Sequence, residues 1–192
     1  MSVDKASFDH PWDEVVIGDV AEVIVGGTPS TSVPEFWGGA IPWMASGDIH
    51  LRRITDVPGR ITESGLQASN AKLVAPPSVA VALAGQGKTR GTVALTLATI
   101  TTNQSVALLK PRSSELRAEY LFYNLSFRYD ELRSRSSGEG RAGLSKGLLE
   151  QVPLPLPPVE EQAAIAEILT TVDQAIAQTE ALIAKQRRIK AG

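Results

Sequence analysis

The sequence contains no cysteine. That excludes a disulfide framework and any thiolate metal site, and it suits a reducing compartment, so a cytoplasmic location is expected. Histidine is nearly as scarce. His10 and His50 are the two present, too little material for a histidine metal centre or a histidine-based acid–base site. No apolar run reaches the roughly 18 residues that a membrane helix needs. Met1–Asp13 is polar and acidic, unlike a secretory leader. Internal repeats and low-complexity tracts are also missing. There is no framed pair of carboxylates, no Ser-His-Asp set and no metal-ligand cluster, so no catalytic role and no cofactor is expected.

Charge is present in both signs but is unevenly spread. Residues 1–49 carry one Lys/Arg against eight Asp/Glu, and residues 50–146 carry fourteen against seven. Residues 147–184 carry six acids and no base, and residues 185–192 carry four bases and no acid. The net charge of -2 therefore conceals a basic middle with acidic flanks. Such a segment is a local footprint for polyanion contact, with scattered solvated charge as the alternative.

The last forty residues organise the chain. Pro153-Leu154-Pro155-Leu156-Pro157-Pro158 cannot lie in a helix interior or a central strand, so Val152–Pro157 reads as an extended connector. Pro158 suits a first helical position. Glu160 and Glu161 favour the positive end of a helix dipole, and Lys185, Arg187, Arg188 and Lys190 favour the negative end. No Gly or Pro interrupts Val159–Lys190, which predicts a rod of roughly 50 Å at 1.5 Å per residue. Along it Ile165, Leu169, Val172, Ile176 and Ile183 form a heptad-like seam completed by Thr179 and Gln186. Ile168, Ala175, Leu182 and Ile189 widen the apolar face. Such a surface needs a partner helix, and no second long helical pattern occurs in the chain, so pairing between chains is expected.

The rest of the chain reads as short strands and one helical region. Gly26-Gly27-Thr28-Pro29 marks a tight turn. Phe36-Trp37-Gly38-Gly39-Ala40-Ile41-Pro42-Trp43 has neither helical nor alternating period. We expect it to be held by aromatic packing rather than regular hydrogen bonding, as a core loop and not a base-stacking platform. Ser78–Leu83 predicts a buried strand, Gly91–Leu97 a second, and Ile100–Leu109 a third. Between the first two, Gly85-Gln86-Gly87-Lys88-Thr89-Arg90-Gly91 invites a nucleotide-binding reading. A phosphate loop needs Gly at the position of Ala82 and a helix starting at the Lys, whereas a strand pattern follows. A Gly-rich loop presenting Lys88 and Arg90 to a DNA backbone fits better. Asn103-Gln104 has side chains able to read adenine, but at a strand edge turn chemistry is the expected role. Glu115–Leu132 predicts a helix with Leu116, Tyr120, Leu121, Tyr123, Asn124, Leu125 and Phe127 on a core-facing stripe. Arg128, Arg133, Arg135, Arg141 and Lys146 then fall in a Ser- and Gly-rich stretch, a cationic loop suited to phosphate or guanine contact. Its alternative is a mobile surface loop.

Gly26-Gly27-Thr28-Pro29-Ser30, Phe36-Trp37-Gly38-Gly39, Ile41-Pro42-Trp43 and Asp48-Ile49 together resemble the start of a target-recognition domain from specificity (S) subunits of type I restriction-modification systems. The proline-rich connector, Glu161-Gln162 and Ile165–Asp173 resemble that family's helical spacer. The likeness runs from about Asp13 to Lys190, in the family's order. Members usually carry two recognition domains and two spacers; this chain has one of each, so it resembles a half-length subunit.

The resemblance implies an α+β fold: a mixed strand/helix recognition domain over residues 1–152, then a connector and long coiled-coil-like helix over residues 153–192. It also implies a non-catalytic role. In the family, methyltransferase (M) subunits bind S-adenosylmethionine and the restriction (R) subunit uses ATP, while S supplies sequence choice and scaffold. The implied partners are double-stranded DNA, the M subunit, an R subunit where one exists, and a second copy of the chain in a homodimer. Lys88, Arg90, Arg128, Arg133, Arg135, Arg141 and Lys146 are the expected DNA contacts. Ile165, Leu169, Val172, Ile176 and Ile183 are the expected helix-pairing residues. The rival readings are a protein-only adaptor or remnant without DNA specificity, and, less favoured, a nucleotide-using enzyme.

Overall fold

A computed structural model describes residues 12–85, 87–135 and 143–191. The chain begins with β1 (Asp13–Val16), a single turn α1 (Ile17–Val20) and β2 (Ala21–Val25). A 3₁₀ turn at Pro34–Phe36 leads into β3 (Trp37–Met44), and a second at Ser46–Leu51 leads into β4 (Arg53–Ile54) and β5 (Arg60–Ile61). After α2 (Glu63–Gln67) come β6 (Ser78–Ala82), β7 (Val93–Thr96), β8 (Thr101–Thr102) and β9 (Val106–Pro111). The helices α3 (Ala118–Phe127), α4 (Tyr129–Arg135) and α5 (Lys146–Glu150) follow, then β10 (Pro153–Leu156) and α6 (Val159–Ala191). The fold is α+β.

Five strands form the central sheet in the order β2-β9-β6-β7-β4, antiparallel except where β4 joins β7. Both of its faces are covered, which is why β6 and β7 read as unbroken runs rather than alternating ones. Val79, Val81, Val93, Leu95, Ala107 and Leu109 point into a core shared with Leu121, Phe122 and Leu125 of α3. Ala80, Ala82, Ala94, Val106 and Leu108 point the other way, against Met44, Ile49, Ile54 and Ile100.

Three expectations change. The aromatic stretch is a strand after all: β3 pairs antiparallel with β5 and parallel with β8, with an irregularity between Trp37 and Ile41 at positive-φ Gly38. Its Gly-rich sequence hid the period. The single strand expected over Ile100–Leu109 is two, broken because Asn103 Oδ1 accepts from the Ser105 amide at 3.0 Å and closes a turn. The helix expected over Glu115–Leu132 starts at Ala118 and is interrupted at Arg128, which caps α3. Phe127, the last residue of α3, is 92% exposed instead of core-facing.

The glycine-tryptophan motif is a staple between layers. Trp37 and Trp43 meet edge to face with ring centroids 5.0 Å apart. Trp43 Nε1 donates to Gly27 O at 2.9 Å and Trp37 Nε1 to Ser30 O at 3.1 Å. Thr28 Oγ1 donates to Gln104 Oε1, so the Asn-Gln pair is engaged in fastening turns.

The connector is extended as expected, and it pairs as β10 with β1, Leu154 opposite Val15. Gln162 explains the Glu-Gln signature. Wholly buried, it accepts from Arg117 N at 2.9 Å and donates to Glu115 O and Pro157 O at 2.7 and 2.8 Å. It thereby fastens the first turn of α6 to the start of α3. Ala166 is buried and Ile165 packs on the core. Beyond Asp173 the rod leaves the domain, and Ile176, Leu182, Ile183 and Ile189 stand exposed.

Candidate nucleic-acid interface

Two basic segments far apart in sequence converge at one end of the central sheet. The turn from β6 to β7 carries Lys88 and Arg90, and Gly85, Gly87 and Gly91 all take positive φ, which lets the backbone double back tightly. No helix starts at Lys88, so the geometry for cradling a nucleotide phosphate is missing among the described residues. The turn is closed internally by Gly91 N donating to Ala82 O at 2.9 Å and Thr92 Oγ1 to Lys88 O at 2.6 Å.

Helix α4 braces this turn from the side. Arg133 Nη1 donates to Gly87 O at 2.7 Å and Arg90 O at 3.3 Å, and Tyr129 OH donates to Lys88 O at 3.1 Å. The Arg133 guanidinium also lies 5.5 Å from the Tyr129 ring centroid. With the turn's carbonyls occupied from beneath, the Lys88 side chain is left at the surface. Arg90 is half-buried, and its Nε is enclosed without a hydrogen bond among the described residues. His50 Nε2 reaches Thr89 Oγ1 at 3.2 Å, so the 3₁₀ turn before β4 flanks the same patch.

The other sequence candidates separate. Arg128 is bound inside the fold: Nε and Nη2 each lie 2.7 Å from the Glu131 carboxylate, and Nη1 donates to Pro153 O and Asn124 Oδ1. Arg135 takes the other side of Glu131 at 3.0 Å. The hydrogen bond from Arg128, reinforced by Arg135, lowers the Glu131 pKa from 4.5 to about 2. Lys146 pairs with Glu150 at 3.6 Å and lines a separate cleft with Glu22 and Lys72. Arg141 lies outside the described residues. The patch therefore assembles from Lys88, Arg90 and Arg133.

Of the helix-pairing candidates, Ile165 is partly covered by its own domain, while Leu169, Val172, Ile176 and Ile183 are 37%, 49%, 51% and 47% exposed. The sequence reading missed the junction that aims the rod. Arg53 Nη2 donates to Tyr123 OH at 2.8 Å and Thr170 Oγ1 at 3.1 Å, and Arg52 pairs with Asp173. Adjacent arginines were the visible signal; their partners lie 70 to 121 residues away, beyond any local pattern.

Among the described residues no group of His, Asp and Glu could hold a metal ion, and no helix is long and apolar enough to cross a membrane.

Residues 10–186 match the type I restriction modification DNA specificity domain. The specificity subunit of type I restriction enzyme MjaIX from Methanocaldococcus jannaschii is 31% identical over 178 residues, which is 90% of this chain and 40% of that subunit. The EcoR124I/EcoR124II specificity subunit of Escherichia coli is 27% identical over 161 residues, 82% of this chain and 40% of the relative. In fold, the chain resembles the HsdS subunit of Thermoanaerobacter tengcongensis with a TM-score of 0.67 at 24% identity, covering 92% of this chain and 41% of that one. A chain from a structure on assembly and conformational transition of the type I R-M system gives a TM-score of 0.71 at 23% identity, covering 96% and 44%. The chain thus spans about two fifths of the length of the curated relatives it matches. By its match over residues 10–186, the chain belongs to the type I restriction-modification specificity family.

Proposed function

We propose that the chain is a sequence-reading unit of a type I restriction-modification complex, contacting one half of a bipartite DNA target. One observation carries the reading within this family. Lys88 and Arg90 lie on the turn from β6 to β7, and Arg133 of α4 donates to carbonyls of that turn from 43 and 46 residues away, so the three cations share one braced region of the domain. Phosphate contacts from these cations set the register on the duplex, and base-edge contacts from neighbouring loops set the sequence. The chain itself performs no chemistry in this reading; it acts in the cytoplasm, where it positions a methyltransferase subunit and, where present, a restriction subunit.

Helix α6 supplies the spacing. Its exposed seam pairs with the seam of a second copy, antiparallel, so that two recognition units are related by a two-fold axis. The target is then an inverted repeat with a fixed gap, its half-sites about one helical turn apart or somewhat more.

The test is selection of bound sites from a random duplex library by the purified chain at two salt concentrations. Enrichment of a gapped inverted repeat that survives the higher salt supports the reading. Retention without sequence preference, lost as salt rises, contradicts it and favours the protein-only adaptor, for which the bare apolar face of α6 is the supporting observation.

A further inference from the structure

We propose that His50 is a further contact of the DNA-facing patch, one that reaches a phosphate when its imidazole is protonated, so that duplex binding strengthens as pH falls. The inference rests on the DNA contact proposed above and adds a proton-dependent member to it.

Three observations support it. His50 Nε2 lies 3.2 Å from Thr89 Oγ1, and Thr89 stands between Lys88 and Arg90 on the turn from β6 to β7. His50 itself is exposed, near the end of the 3₁₀ turn Ser46–Leu51. Thr89 is held in place: a Cβ on Gly85 would sit 2.8 Å from its Cβ and Cγ2, so the methyl packs against the Gly85 backbone and the hydroxyl is left to the imidazole. A threonine hydroxyl both donates and accepts, so this bond forms whether or not Nε2 carries a proton. With both ring nitrogens protonated, Nε2 donates to Thr89 and Nδ1 supplies a second, charge-assisted donor for a phosphate oxygen. Protonation therefore changes the charge of the patch without rebuilding it.

The charges on the surrounding elements favour an anion. On the 3₁₀ turn, Asp48 is engaged as the acceptor of the Ala45 amide at 2.9 Å, and Arg52, just beyond the turn, is paired with Asp173 of α6. The turn from β6 to β7 carries Lys88 and Arg90, and α4 contributes Arg133 and the Tyr129 hydroxyl, which hold carbonyls of that turn. The strands against which the 3₁₀ turn packs, β6 and β7, carry no titratable side chain. With both acids occupied, a protonated imidazole has cations for neighbours, and a phosphate is the group that balances them. Histidine is the side chain that ordinarily changes charge between about pH 5 and pH 8. The chain has two, His10 and His50, so a pH response of DNA binding in that range is assignable by substitution.

The experiment measures binding of a fluorescent random-sequence duplex to the 192-residue chain over a salt series, at about pH 5.5 and about pH 7.5. The parent chain is compared with His50→Gln, which keeps a group able to hydrogen-bond Thr89, and with His50→Arg, which is charged at both pH values. The exposure of His50 means that neither variant should unfold, and thermal midpoints check this. The expected result is a parent salt slope steeper at the lower pH by most of the roughly 0.9 that one phosphate contact adds. His50→Gln should show the shallow slope at both pH values and His50→Arg the steep one at both. A parent slope unchanged by pH, with binding intact, overturns the role of His50 and leaves the cationic patch standing. A pH response that survives in His50→Gln belongs to another group and overturns it equally. If the duplex is retained at neither pH, or retention does not fall with salt, the DNA contact itself fails and the role of His50 with it.

Discussion

The Arg52 guanidinium lies 3.2 Å from the Asp173 carboxylate, joining positions 121 residues apart at the point where the rod leaves the domain. Arg52 holds this place with φ of 61°, a conformation that strains any side chain. Its neighbour Arg53 is half-buried and reaches Tyr123 and Thr170. The two arginines therefore contribute differently. Arg53→Ala is expected to cost about 2 kcal/mol, since it strips charged hydrogen bonds from partly buried hydroxyls. Arg52→Ala is expected to cost about 1 kcal/mol or less, as the pair is largely exposed. Arg52→Gly relieves the strain and should unfold no earlier than the parent chain. Denaturant unfolding of the three variants checks the order; equal losses for Arg52→Gly and Arg53→Ala would refute it.

Gly26 and Gly47 separate a packing requirement from a neutral position. A Cβ at Gly26 would sit 2.2 Å from both Thr102 O and Thr102 Oγ1, whereas one at Gly47 meets nothing within 4 Å. Gly26→Ala should therefore lose more than about 2 kcal/mol, and Gly47→Ala should stay within about 0.5 kcal/mol. Thermal unfolding of the pair measures the difference directly.

Lys88 and Arg128 test which cations meet DNA. Lys88→Ala should weaken duplex binding alike for all sequences and lower the salt slope by about 0.9. Arg128→Ala should leave that slope unchanged and lower the unfolding midpoint, because its guanidinium is occupied by Glu131, Asn124 and Pro153. A reduced salt slope in a fully folded Arg128→Ala chain would reassign that arginine to the interface.

Glu131 carries a pH signature. Its folded pKa is lowered to about 2 from 4.5, so the carboxylate stabilises the fold at any pH above the higher value. That contribution falls away as pH drops from 4.5 toward 2. Glu131→Gln should flatten the stability profile in this window and lower stability near neutrality. An unchanged acid limb in the variant would show that other groups govern it.

How much of this was readable in the sequence depended on the range of each interaction. The two buried strands and the rod were legible because burial on both faces gives apolar runs, and because nothing breaks a helix between Val159 and Lys190. Which arginines were already engaged was partly legible too. Glu131 stands three residues after Arg128 and four before Arg135, the spacing of helical ion pairs. The convergence of the Lys88 turn on α4 was not, since it depends on carbonyls of the turn meeting Arg133 in space. Phe127 was misplaced because the core-facing stripe was carried to the last residue of α3, where the side chain is exposed although its helical spacing from Tyr120 and Tyr123 matches the buried face.

Ile176 and Ile183 should matter to assembly and not to folding, as both are about half exposed and neither belongs to the domain's buried core. Replacing both by Glu is expected to abolish self-association in light scattering while cooperative unfolding of the domain persists. Loss of cooperative unfolding would place the seam in the domain's own core.

The most direct measurement is co-expression with a cognate methyltransferase subunit, followed by single-molecule sequencing of the host DNA for modified bases. The expected result is a symmetric, gapped motif modified on both strands, as two equivalent recognition units require. An asymmetric gapped motif would mean that a different recognition unit completes the target, contradicting the paired copies. No sequence-dependent modification, with the complex shown to form, would contradict DNA reading itself.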